Sequence, residues 1–182
     1  MGLFDFFKKK EAEPEYDVTN LKVSDLDHGF ILEYDLKSWE VKEVYEYDWG
    51  SNNFSHEYML DSGDEVIYLG VEDKGELHIT AMKSIKIRKL GDDIIDKTIK
   101  KERPPKNLEY EGISYHLHTD SAGYFNDKTK GTDDWEELIA WEYYDDEEQH
   151  VLSITQWGER DFEASVGKVV KEYEISNIIP GS

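Results

Sequence analysis

No cysteine occurs among the 182 residues of this chain. That absence excludes a disulfide framework, a thiol nucleophile and any Cys-ligated zinc site, and it suits a reducing compartment. No apolar run approaches the ~18 residues of a membrane-spanning helix. The start also lacks the apolar core and small-residue cleavage site of a secretory signal, so the cytoplasm is the expected compartment. Signatures of chemistry are missing as well. There is no Walker loop, no Gly-x-Gly-x-x-Gly, no His-Glu-x-x-His and no Gly-x-Ser-x-Gly. Ser165 precedes Gly167 in an expected strand, but no histidine is placed beside it to make it a nucleophile.

Basic residues are the minority charge, 21 Lys and Arg against 42 Asp and Glu, for a formal net charge of −21. Binding a phosphate backbone requires Lys and Arg to replace counterions, so nucleic acid is excluded as a natural ligand. The charge reads first as a solubility surface and second as attraction for a basic partner: a cationic protein, a polyamine or a metal ion. An aromatic content of 13% separates the chain from acidic disordered sequences.

Residues 1–18 differ from the rest. Leu3, Phe4, Phe6 and Phe7 precede three lysines, and helical spacing puts Leu3, Phe6 and Phe7 on one face. Such a segment suits docking on a partner, peripheral contact with an anionic membrane, or the protein's own core. From residue 19 to 90 the dominant period is two. Val41, Tyr45, Tyr47 and Trp49 are assigned one face of a strand, and Phe54, His56, Tyr58 and Leu60 alternate in the next. Turn residues at Trp49–Asn53, Asp61–Asp64 and Glu72–Gly75 separate short β runs, which is the pattern of a meander. Residues 91–105 change to helical spacing: acids at Asp92 and Asp93, a stripe of Ile94, Ile95, Thr98 and Ile99, then lysines and Pro104-Pro105. Strands resume over 106–180, the last of them expected at Lys171–Ile178.

Self-comparison of the sequence pairs Trp39 with Trp135, Tyr47 with Tyr143 and Gly63 with Gly158 at nearly constant separation. The expected architecture is therefore mainly β: two repeated antiparallel meander units joined by one connecting helix, forming a barrel-like or sandwich structure. Tyr110-Glu-Gly-Ile-Ser-Tyr115, Gly123-Tyr-Phe125, Trp135-Glu-Glu-Leu138, Trp141-Glu-Tyr-Tyr144, Gln156-Trp-Gly-Glu159 and Asp161-Phe-Glu-Ala-Ser165 follow one another in order. This set resembles the bacterial family catalogued as domain of unknown function 4178, clearly over about 108–180 and more faintly over 20–90, as if in two tandem copies. The resemblance implies β-rich structure and carries no catalytic signature.

His116 and His118, at i and i+2 on one strand, are the weak candidates for a metal site. Asp145-Asp-Glu-Glu148 reads as a solvated hairpin, since it lacks an EF-hand loop. No cofactor is implied. Trp49 and Trp157, each beside a glycine at a turn, join Leu3, Phe4, Phe6 and Phe7 as candidate partner-binding residues. The favoured function is a non-enzymatic binding or adaptor module with a protein partner. An acidic immunity-type protein against a basic partner, and a small-ligand barrel or enzyme with an unrecognised site, are the alternatives.

Overall fold

The computed structural model describes residue 17 and residues 19–181. A five-strand meander comes first: β1 (Ile31–Tyr34), β2 (Lys37–Asp48), β3 (Phe54–Asp61), β4 (Val66–Asp73) and β5 (Leu77–Ile85). The helix α1 (Ile94–Lys101) follows. The second meander is β6 (Asn107–Tyr110), β7 (Ile113–Asp127), β8 (Glu136–Tyr144), β9 (His150–Gln156) and β10 (Phe162–Val170), and β11 (Ser176–Ile179) ends the chain. The segment expected as a strand at Lys171–Ile178 is instead a 3₁₀ turn, Glu172–Glu174, leading into β11.

All strand pairs are antiparallel, and the two meanders join at two seams. At one seam β5 pairs with β10, and at the other the C-terminal half of β2 pairs with that of β7. The ring β2-β3-β4-β5-β10-β9-β8-β7 thereby closes on itself, with β1 and β11 extending from β2 and β6 extending from β7. The β5–β10 seam centres on matched positions. Met82 and Gly167, each four residues before the lysine that opens a 3₁₀ turn, are directly paired. A Cβ on Gly167 would lie 1.9 Å from the Ala81 carbonyl oxygen, so only glycine lets the backbones meet there.

The strand order matches β1 to β6, β2 to β7, and so on. The pairs read from the sequence do not follow it. Trp39 and Tyr47 lie on β2, whereas Trp135 precedes β8 and Tyr143 lies on it; Gly63 turns β3 into β4, but Gly158 turns β9 into β10. Each such pair joins a strand to the counterpart of its neighbour. The segments that do occupy matching hairpins are Leu32-Glu-Tyr-Asp-Leu-Lys-Ser-Trp39 and Leu108-Glu-Tyr-Glu-Gly-Ile-Ser-Tyr115. In that register Asp48 matches Tyr124, and these two pair across the β2–β7 seam.

A small cluster of Met82, Tyr144 and Val151 lies inside the ring, and the two larger apolar cores lie outside it. One gathers Leu32, Trp39, Val41, Val44, Tyr58, Leu60 and Leu69 under the cover of Val23, Leu26, Phe30 and Ile175. The other gathers Tyr115, Trp141, Tyr143, Leu152 and Ile154 beneath Leu108 and Ile94 of α1. Two bulges make this arrangement possible, one in β2 between Val41 and Glu43 and one in β7 between Leu117 and Thr119. An extra residue reverses which face the following side chains take. Val41 therefore packs in the outer core while Tyr45, Tyr47 and Trp49 face the ring interior, and the single face expected for all four is corrected by the bulge.

The two matching hairpin turns offer a direct comparison. Both central residues have positive φ in each: Asp35 (50°) and Leu36 (63°), Glu111 (49°) and Gly112 (80°). This is the conformation of a two-residue type I′ turn, which favours Asp-Gly. Leu36 is fully exposed, so no packing repays its strain. Leu36→Gly is expected to raise stability by about 0.5–1 kcal/mol, the strain relieved less the entropy of glycine. Gly112→Leu, where a Cβ meets open space, should lose a similar amount. Midpoints of urea unfolding measure both.

Candidate functional site

The ring encloses a cavity of about 590 Å³. Because the bulges send most large apolar side chains outward, the period of two leaves the interior largely to polar and aromatic ones, although Met82, Leu138 and Val151 also line it. Tyr45 and Tyr47 of β2, Trp49 just after it, Glu57 of β3, Phe125 of β7, Glu142 of β8 and Glu163 of β10 all line it, with Ser and Thr hydroxyls between them.

One end is aromatic. Tyr47 and Trp49 stack with ring centroids 5.5 Å apart and planes 3° from parallel. Phe125, delivered by the β2–β7 seam, sits 5.2 Å from Tyr45 and 5.5 Å from Tyr47, and Trp157 meets Phe125 edge-on at 5.1 Å. Trp49 lies flat against Gly123, where a Cβ would approach its ring to 2.7 Å. These rings also hold carboxylates. Tyr47 donates to Glu57 Oε1 at 3.0 Å, Trp157 Nε1 donates to Glu163 Oε2 at 3.0 Å, and Tyr45 donates to Glu43. Trp49 Nε1 donates to Ser55 Oγ at 2.9 Å.

The electrostatics follow from enclosure. Burial lifts the Glu57 carboxyl to about 7, with Glu163 and Glu142 adding repulsion and the Tyr47 hydrogen bond opposing both. Burial, then the charge of Glu57, pushes the Tyr47 hydroxyl far upward, so it remains a donor. Glu142 is raised by burial and next by Glu72, while Thr119 donates to it at 3.3 Å. Among the described residues, no Lys, Arg or His is ion-paired with Glu57, Glu142 or Glu163, although His78 and Lys74 act on Glu142 from a distance; Lys74 and Lys130 pair with Glu72 and Asp127.

The residues singled out from the sequence separate here. Leu3, Phe4, Phe6 and Phe7 lie outside the described residues. Trp49 and Trp157 are half-buried and both turn into the cavity, where Tyr47 and Phe125 connect them. His116 and His118 straddle the β7 bulge. His116 contacts Asn107 (2.9 Å) and Asp146 (3.1 Å), and His118 meets the edge of Tyr144. Among the described residues, no group of three or more His, Asp or Glu is placed to hold a metal ion. Asp145 caps its hairpin by accepting from the Gln149 and His150 amides. Sequence reasoning passed over Glu57, Glu142 and Glu163, because each alternates with apolar neighbours and so read as a solvent-facing acid.

The raised carboxyl has a cost that depends on pH. Below about 4.5, the ordinary value for Glu57, folded and unfolded chains both hold its proton; from there to about 7 only the folded chain does. Stability therefore falls as pH rises through that window. Glu57→Gln removes this slope. It is expected to be more stable than the parent by about 2 kcal/mol at pH 8, allowing for the water-accessible cavity, with the gap closing as pH is lowered toward 5. Urea unfolding at the two pH values tests it.

A family model described as domain of unknown function (DUF4178) matches residues 27–172 in one run that passes through both meanders. An uncharacterized protein of Aquifex aeolicus strain VF5 is 27% identical over 175 residues, covering 96% of this chain and 94% of its own. No solved structure matches the chain. That match covers most of the chain and does not resolve into two copies, and the chain belongs to the DUF4178 family.

Proposed function

We propose that this protein is a small-molecule-binding barrel whose ligand occupies the space between the two meanders. The observation that carries the reading is where the apolar side chains go. A ring of eight short strands can fill its own interior with side chains or hold one small ligand. Here Trp141, Tyr143, Leu60 and Leu69 pack outside the ring, and the interior keeps about 590 Å³ lined by Tyr, Trp, Ser, Thr and Glu. That volume lies within the range of small-molecule sites.

Small side chains support the same reading. Ala140, Ser121, Ser153, Thr155 and Ser165 sit at lining positions where larger residues would close the space. A carboxylate such as Glu57, opposed by burial and by its acidic neighbours, is costly in the interior, and a protein selected for stability alone would replace it with an apolar group. The tethered-adaptor expectation rested on residues 1–10, outside the described residues, so the cavity is the better-supported basis for function. It favours the small-ligand alternative read from the sequence.

Filling the space gives the test. Ala140→Trp and Ser153→Trp point new rings into the cavity without touching the outer cores. The parent, purified natively, denatured and extracted, is expected to release a small molecule in amounts near that of the protein. Both variants should lose most of it while retaining a cooperative thermal transition. Equal small-molecule content in parent and folded variants would sink the proposal.

A further inference from the structure

The geometry points to an organic ammonium as the ligand class, its charge held between Glu57 and Glu163 and its alkyl groups against Tyr47, Phe125 and Trp157. This inference rests on the cavity reading above and adds the chemistry of the occupant.

Three classes can be weighed against the lining. An anion would meet the half-buried Glu57 and Glu142 and the exposed Glu163 along one cavity wall, where like charges repel. A bare metal ion needs several ligands converging on one point, and among the described residues none do. A neutral polar molecule would leave the carboxylates uncompensated. An organic cation satisfies all the features together. Tyr47 and Trp157 each spend their only donor on a carboxylate, fixing Glu57 and Glu163 in place and leaving their remaining acceptor capacity for an incoming N–H or N–CH group. The rings of Tyr47, Trp49, Phe125 and Trp157 supply electron-rich faces and apolar area, which is the environment that recognises alkylated ammonium groups. Lys74 and Lys130 pair with Glu72 and Asp127, and Lys74 and His78 act on Glu142 at the other end, while no cation is among the groups that shift Glu57.

The two ends of the cavity are not equivalent. With Met82 matched to Gly167, the counterpart of Glu163 is His78, which is bonded to Tyr144 at 2.9 Å. The counterparts of Tyr45 and Tyr47, in the register that matches Asp48 to Tyr124, are Ser121 and Gly123. Only one end combines rings with uncompensated carboxylates, so the inference assigns the cation to that end.

Calorimetric titration of the full chain in low-salt buffer tests it with four probes: choline, its neutral isostere 3,3-dimethylbutanol, n-butylammonium and butyrate. At least one ammonium is expected to bind at least about tenfold more tightly than its uncharged or anionic comparator. Its affinity should rise as pH increases from 6 to 8, as Glu57 ionises. Glu57→Gln and Glu163→Gln should each weaken it about tenfold, a loss of ~1.4 kcal/mol, with thermal transitions retained. His116→Ala, at an exposed position that is not among the cavity-lining residues, should leave it unchanged. Isostere binding as tight as choline, unchanged affinity in Glu57→Gln, or no ammonium binding by the parent would each overturn the cation assignment. If the parent then still releases a neutral or anionic small molecule that Ala140→Trp loses, the cavity reading stands without it. If no cavity-dependent molecule is found, both fall.

Discussion

Everything in this molecule depends on where its two meanders hydrogen-bond to each other. Each five-strand unit has one apolar face and two long edges, and exposed edges invite uncontrolled pairing. Joining β5 to β10 and β2 to β7 removes those edges and encloses a space in the same step. The seams demand close backbone approach. Gly167 gives way to Met82 and the Ala81 carbonyl at one, and Gly123 gives way to the ring of Trp49 at the other. The same contacts that close the ring therefore seat an aromatic side chain at the mouth of the cavity.

Closure would have produced a filled barrel had the strands kept one parity throughout. The bulges at Val41/Glu43 and Leu117/Thr119 prevent this. Before each bulge, Trp39 and Tyr115 face an outer core; after it, Tyr47 and Phe125 face the interior. One strand thus serves two environments, with stability in its first half and the site in its second. β1 with the Val23–Asp25 turn, and β6 with α1, are the covers that this division requires, because apolar faces turned outward must be shielded from water.

The parts of this design that obey simple periodicity were legible in the sequence. The β class, the hairpin turns at Gly50, Gly63 and Gly75, and the helix before Pro104 all follow from local pattern and turn chemistry. What failed was the assumption that the polar face of a strand is the wet one. Glu57 alternates with Tyr58 and Leu60, so the sequence assigns it to solvent, yet the apolar partners point outward and the acid points in. A bulge leaves no composition signal, so Val41 and Tyr47 read as neighbours on one face. The correspondence between the halves was a different kind of miss. Leu-Glu-Tyr-acid-x-x-Ser-aromatic, at Leu32 and Leu108, was visible in the chain, but tryptophans and glycines drew the comparison one strand out of register. Aromatic and turn residues recur in every hairpin, so they align readily at a false spacing, whereas a mixed segment containing a strained turn aligns at only one.

Differences at matched positions carry the remaining information. If ring closure were the sole demand on these strands, matched positions would hold residues of similar size and charge. They do so in the outer cores, where Leu32 answers Leu108 and Trp39 answers Tyr115. Inside the ring they diverge: Tyr47 answers Gly123, Trp49 answers Phe125 and His78 answers Glu163. The large residues of β2 thus match small ones on β7, and the rings gather at one end, where Tyr47 pairs with Phe125. Interior packing alone does not explain a carboxylate such as Glu57, which burial and its acidic neighbours oppose. The outer cores already hold the fold, so the interior is free to retain groups that lower stability, and a cationic occupant would turn that cost into binding energy.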